Sequence, residues 1–202
     1  MIVTHQLTDA VGRQLEAGAR VLLMPDSTQY GRNTVGPLFT TDYWNYRMFK
    51  TISENNGKRV SPGTLGILTR PDHPLFRDFP TEMHTNWQWF PVIRASHPLM
   101  LDNTGRNYRP IVQVVDNVER NHKLGLIFEF SVGKGRLLVV MSDLEQASSY
   151  PEGKQLLLSI LRYMNSEAFA PATSVSLSDF RRLMTMEVVE GEIGKLDNIS
   201  PY

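Results

Sequence analysis

Ile111-Val112-Gln113-Val114-Val115, Leu124-Gly125-Leu126-Ile127-Phe128-Glu129-Phe130 and Arg136-Leu137-Leu138-Val139-Val140-Met141 follow one another between residues 109 and 143. Each run has strand length, is rich in β-branched or aromatic residues, and is bounded by turn or charged residues such as Asp116-Asn117 and Gly133-Lys134-Gly135. The second run alternates only in part and the third is apolar almost throughout. A strand covered on both faces is expected, as in a layered α/β domain. The short glycine-bearing link between runs two and three has hairpin length, so this side of the sheet is expected to be antiparallel.

Upstream, Leu7, Val11 and Leu15 recur at helical spacing, with Thr8 or Asp9 as cap and Gly18 as stop. Ile2-Val3-Thr4 before this helix and Val21-Leu22-Leu23-Met24 after it predict strand, helix, strand, with parallel pairing through a right-handed crossover. So abrupt a start suggests a piece excised from a longer protein. Residues 29–37 form a loop leaving the carboxyl end of the second strand, where open α/β sheets bind ligands, but carry no phosphate-binding signature. Trp44, Met48, Phe49 and Ile52 share a helical face, with Thr40 or Thr41 as cap and Asn55-Asn56-Gly57 as stop; core packing is the commoner role of such a stripe. Thr64-Leu65-Gly66-Ile67-Leu68 reads as a strand and Pro98-Leu99-Met100-Leu101 as an edge strand. A helix with Pro151 in its first turn is expected to lay Leu157, Ile160, Leu161 and Met164 on the sheet. Residues 1–169 thus read as one α/β domain, and residues 170–202 as a docking segment, amphipathic over 178–184, followed by a linker.

Composition excludes several functions. The 202 residues carry 21 basic and 21 acidic side chains, a net charge of +0, so the surplus of cations that drives nucleic-acid affinity is missing. With no cysteine there is no disulfide, thiolate metal site or cysteine nucleophile. No stretch is long and apolar enough to span a bilayer, and Met1-Ile2-Val3-Thr4-His5 does not begin a signal peptide. His5, His73, His84, His97 and His122 include no His-x-x-x-His pair, so no metal is expected, and no cofactor motif is present. No serine occupies a nucleophile elbow. Asp116 and Asp143, both at strand ends, could face one rim as the carboxylate pair that glycoside hydrolysis needs; they are equally ordinary turn and cap residues.

Residues 79–90, Phe79-Pro80-Thr81-Glu82-Met83-His84-Thr85-Asn86-Trp87-Gln88-Trp89-Phe90, have the most unusual composition. His84, Asn86, Trp87, Gln88 and Trp89 together are the mix that sugar-binding surfaces use, flat aromatic faces for pyranose rings and amides for hydroxyls. Packing of Trp87 on Phe90, with Glu82 and Asn86 capping a turn, is the competing reading.

That segment, with Arg109-Pro110-Ile111-Val112-Gln113-Val114-Val115-Asp116, Lys123-Leu124-Gly125-Leu126-Ile127-Phe128-Glu129, Val132-Gly133-Lys134-Gly135-Arg136-Leu137-Leu138-Val139, Leu161-Arg162-Tyr163-Met164 and the opening Leu15-Glu16-Ala17-Gly18-Ala19-Arg20-Val21-Leu22-Leu23, resembles a domain toward the C-terminal end of bacterial glycoside hydrolases of family 2, the β-galactosidase-like group. The resemblance covers residues 1 to about 185. It implies a three-layer flavodoxin-like, class I glutamine amidotransferase-like fold with a mixed, mainly parallel sheet, related in architecture to the trimerisation domain of some β-galactosidases. Amidotransferase activity does not carry over, because its cysteine nucleophile has no counterpart here, and the catalytic carboxylates of family 2 lie in a separate barrel domain. The resemblance therefore implies a non-catalytic structural or assembly domain of a polysaccharide-degrading enzyme that is periplasmic or secreted. Its expected partners are the catalytic and β-sandwich domains of that parent, a second copy in a homo-oligomer, or carbohydrate.

Overall fold

The computed structural model describes residues 1–26, 33–36, 46–57, 63–117 and 120–185. β1 (Ile2–Thr4), α1 (Asp9–Glu16) and β2 (Arg20–Leu23) form the expected strand–helix–strand unit, with β1 and β2 parallel. The Thr8 hydroxyl caps α1 by accepting from the Val11 N–H at 3.3 Å. Gly18, just beyond the last turn, has φ 120°, a backbone conformation that L side chains rarely adopt.

Of the loop expected over residues 29–37, only residues 33–36 are described, and Trp44, Thr40 and Thr41 lie outside the described residues. α2 (Tyr46–Asn55) stops at Asn56-Gly57 as expected. Met48 and Ile52 are 42% and 48% exposed, so this part of the predicted stripe is only half covered.

β3 (Thr64–Thr69), β5 (Val112–Asp116), β6 (Lys123–Val132) and β7 (Gly135–Val140) pair antiparallel in the order β3-β5-β6-β7. β7 then joins β2 in parallel, giving β1-β2-β7-β6-β5-β3. Two short strands complete the sheet: β4 (Leu99–Met100), antiparallel to β6, and β8 (Ser174–Val175), parallel to it. The sheet is mixed, as expected, but four of its seven pairings are antiparallel, so the expectation of a mainly parallel sheet is corrected. Connection length accounts for part of this. Parallel neighbours need a long crossover, whereas the six residues between Asp116 and Lys123 can only fold β6 back on β5, as the expected turn at Gly133-Lys134 folds β7 back on β6.

The predicted edge strand at residues 98–101 is also no edge. Leu99, Met100 and Leu101 are buried, because residues 33–35 run along its other side through Met100 N–H to Asn33 O (2.8 Å) and Val35 N–H to Pro98 O (3.1 Å).

β6 and β7 supply the centre of the core, where Leu124, Leu126, Ile127, Phe128, Leu137, Leu138, Val139 and Val140 are inaccessible to solvent. Successive strand residues face opposite sides. Glu129 accepts a hydrogen bond from Tyr163 of α5 (Pro151–Asn165), while Phe130 meets Phe180 of α6 (Leu177–Thr185) edge-on at 6.1 Å. Helices thus cover both faces of β6, and the amphipathic segment around residue 178 docks on the sheet. α5 presents Leu156, Ile160, Tyr163 and Met164 to the core, with Leu157 and Leu161 half-buried at its margin. The buried stripe is rotated from the predicted one.

At the β6–β7 turn, Gly135 is where backbone segments crowd: a Cβ there would stand 2.0 Å from the Leu15 carbonyl oxygen and 2.7 Å from that of Ala19. Because both neighbours are backbone, Gly135→Ala is expected to destabilise by about 3 kcal/mol, the upper range for overpacking. Thermal unfolding of the variant measures it.

Candidate functional site

β1, β2 and β7 run the same way, and their carboxyl ends meet a cavity of 490 Å³. Each strand end delivers polar groups: His5 after β1, Asp26 after β2, Asp143 and Glu145 after β7. Arg94 ends α3 (Phe90–Arg94), and His97 follows just after it. Such an edge is where open α/β sheets take ligands.

His97 is buried; its backbone N–H donates to Met141 O (2.8 Å) and its Nε2 to Pro25 O (3.0 Å). A carbonyl only accepts, so Nε2 carries the hydrogen and Nδ1 is left as an acceptor. Burial lowers the His97 pKa, outweighing the Pro25 carbonyl and the nearby Asp26 and Asp143, and the ring is neutral. Asp143 caps the short helix α4 (Leu144–Ala147) by accepting from Gln146 N–H at 2.8 Å. His5 Nδ1 lies 2.8 Å from Met24 O and its Nε2 lies 3.2 Å from Glu145 Oε1.

The hydroxyls beside the cavity are committed, Ser96 to Ile93 O (2.7 Å) and Ser142 to Val92 O (2.8 Å). The arrangement is one of hydrogen-bond donors and acceptors rather than of a nucleophile held against a base. Among the described residues no cluster of three His, Asp or Glu side chains is placed to hold a metal ion.

The Trp-rich segment divides in two. Asn86 accepts from Gln88 N–H (3.1 Å) and starts a 3₁₀ turn, Trp87–Trp89, in which the two Trp side chains go opposite ways. Trp89 is fully buried between Phe76 (6.1 Å, edge-on) and Phe79 (5.3 Å, edge-on), with its indole N–H donating to the Thr81 hydroxyl at 2.9 Å. Trp87 is 74% exposed and leans on Phe90 at 5.6 Å. Gln88 donates to Pro80 O (3.0 Å), and His84, bridged to Leu68 of β3, has Nε2 3.3 Å from Glu82 Oε2. Of the five residues expected to form one platform, Trp89 belongs to the core, Asn86 and Gln88 bond within the segment, and Trp87 and His84 reach the surface.

Asp116 and Asp143 close strands of the same direction, since β6 is antiparallel to both β5 and β7. They do not form a pair. Asp116 is buried and bound by Arg120 (Nη2 to Oδ1, 2.6 Å) and by the His122 N–H (3.0 Å), whereas Asp143 lines the cavity on the far side of β6.

Next to this ion pair, His122 Nδ1 lies 2.6 Å from Asp102 Oδ2. The hydrogen bond to Asp102 raises the His122 pKa above 6.5 against the effect of burial. Burial pushes the Asp102 carboxyl up, but the bonds from His122 and Lys123 N–H prevail and hold it below 3.8. The raised His contributes stability in full below 6.5 and loses it as pH rises through its folded value; the depressed Asp contributes in full above 3.8 and loses it as pH falls through its own. The destabilisation caused by His122→Gln is therefore expected to be largest between those two pH values and to shrink on either side. Urea titrations of both proteins across pH measure that difference.

A further constellation surrounds Glu129, the one charged residue inside an otherwise apolar run. Tyr163 Oη donates to its Oε2 (2.8 Å), Tyr108 Oη donates to its backbone carbonyl (3.0 Å), and His73 Nε2 stands 3.9 Å from Oε1. Burial raises the Glu129 pKa, and it drives His73 down to about 4, helped by the Arg70 charge. His73 is thus neutral beside Glu129, and at 3.9 Å the two are neither an ion pair nor hydrogen-bonded at neutral pH. This cluster was passed over in the sequence, although an isolated charge in an otherwise apolar run was a signal that could have marked it. His5, Asp26, Arg94 and His97 had none, because the cavity gathers them from separate segments.

Among the described residues no helix is long and apolar enough to cross a membrane. No curated protein matches the chain. A family described as a domain of unknown function, DUF8487, matches residues 2–185, from β1 through α6. The match takes in the whole sheet, the cavity at its carboxyl edge and the Trp-rich segment, so the chain belongs to the DUF8487 family.

Proposed function

We propose that this domain is a non-catalytic structural or assembly module of a family 2, β-galactosidase-like glycoside hydrolase, exported to the periplasm or beyond, and that it packs against the catalytic and β-sandwich domains of that protein. The observation that carries the reading is the fate of the two strand-end carboxylates. Asp116 is neutralised inside the fold by Arg120, and Asp143 caps α4 on the other side of β6. Glycoside hydrolysis needs two carboxyl groups flanking one bond. The finer fold assignment, a three-layer flavodoxin-like and amidotransferase-like architecture, is supported by the parallel β1-β2-β7 half and by helices on both faces of β6.

The test is made in a family 2 protein that carries this domain. Excising the region corresponding to residues 2–185 is expected to leave kcat on an aryl β-galactoside within about threefold while lowering thermal stability or the assembly state. A collapse of kcat in a variant whose barrel remains folded overturns the proposal, as does turnover by the isolated domain that is lost in Asp143→Asn.

A second reading, carbohydrate recognition, is favoured by one observation: Trp87, at 74% exposure, presents an indole to solvent in a segment that also exposes His84.

A further inference from the structure

The cavity at the carboxyl edge of β1, β2 and β7 does not end at Arg94. A second cavity of 240 Å³ shares Arg94, Ala95 and Gln146 with it and is lined beyond them by Phe90 and Tyr150. Tyr150 is 46% exposed, and Trp87 leans on Phe90 at 5.6 Å. The guanidinium of Arg94 lies 5.4 Å from the Phe90 ring centroid, at the junction of the two cavities. The lining therefore changes from the buried His97 and the carboxylate of Asp143 in one cavity, through the shared Arg94, to Phe90 and Tyr150 in the other, and Trp87 adjoins it through Phe90.

We propose that the two cavities and Trp87 form a single groove that binds a β-linked oligosaccharide, its terminal hydroxyls held at the polar end and its inner rings stacked on the aromatic end. This rests on the carbohydrate reading above and replaces its surface of Trp87 and His84 with a groove. Vicinal hydroxyls both donate and accept, which suits a cavity where Asp143 and His97 accept and Arg94 donates. Pyranose faces carry C–H groups that lie flat on aromatic rings, and an extended β-linked chain presents those faces in succession along a line.

The experiment is calorimetric titration of the full chain with β-1,4-linked gluco-, xylo-, manno- and galacto-oligosaccharides of one to six units, with intrinsic tryptophan fluorescence as a second readout. Affinity is expected to rise with length until the groove is spanned. Trp87→Ala and Arg94→Ala are each expected to weaken the longest binding ligand about tenfold or more, and neither should lower the thermal midpoint appreciably, because both side chains are exposed. Binding that is lost in Trp87→Ala but unchanged in Arg94→Ala and independent of ligand length overturns the groove and leaves the Trp87 surface as the carbohydrate site. Silence of the folded protein across the panel overturns the groove and the carbohydrate reading together.

Discussion

Arg120→Met is expected to destabilise the fold by about 3–5 kcal/mol, the cost of stranding one member of a buried ion pair. The side chains of Arg120 and Asp116 are 3% and 1% exposed. Arg120 reaches Asp116 through both Nη2 (2.6 Å) and Nε (3.1 Å), and its Nη2 also donates to Gly63 O (2.6 Å). In the variant the carboxylate keeps the backbone N–H groups of Asn117 (2.9 Å) and His122 (3.0 Å), but its charge has no cation, and water replaces neither lost donor cheaply in a core this closed. The double variant Asp116→Asn/Arg120→Met removes the stranded charge and is expected to recover a substantial part of the loss. Urea denaturation of the two single variants and the double, read as a cycle, checks this; an Arg120→Met midpoint equal to that of the unaltered protein would falsify the assignment of Asp116 to a structural role.

Trp89→Ala is expected to cost a further class of energy, about 3–5 kcal/mol from lost burial and the cavity left behind. Its ring fills the space between Phe76 and Phe79, and its N–H satisfies the Thr81 hydroxyl. Trp87→Ala, two residues away, is expected to stay within about 0.5 kcal/mol, as exposed substitutions do, because its ring is 74% in solvent. Guanidinium unfolding of the pair reads this contrast directly. Equal destabilisation by both would mean that Trp87 is buried in solution, and the groove would have no aromatic end.

Much of the local structure was legible from residue order because it depends on neighbours in the chain. Thr8 caps a helix one residue after Leu7 begins the stripe that Val11 and Leu15 continue, and Gly133-Lys134 is too short to do anything but turn β7 onto β6. The α/β class, the mixed sheet and the presence of a strand covered on both faces follow from signals of that kind.

Pairing between distant strands is another matter. The opening unit and the flavodoxin-like resemblance weighted the expectation toward parallel pairing, yet beyond the expected β6–β7 hairpin, β3–β5 and β5–β6 also pair antiparallel. No local periodicity distinguishes a parallel neighbour from an antiparallel one, since both present side chains with period two.

What the sequence determined by itself was therefore the set of elements, their caps and turns, and the chemistries closed to a chain with no cysteine and no net charge. Tertiary structure alone decided which of two tryptophans in one 3₁₀ turn faces Phe76 and Phe79, and that Asp116 meets Arg120 within the fold while Asp143 opens on a cavity. It alone brought His5, Asp26, Arg94, His97 and Asp143 to one rim. The physical reason is that a side chain's environment is fixed by surfaces that meet after the chain has closed on itself: the rim draws on segments tens of residues apart, and even Asp116 and Arg120, four apart in sequence, lie inside the fold against Gly63, 57 residues from Arg120.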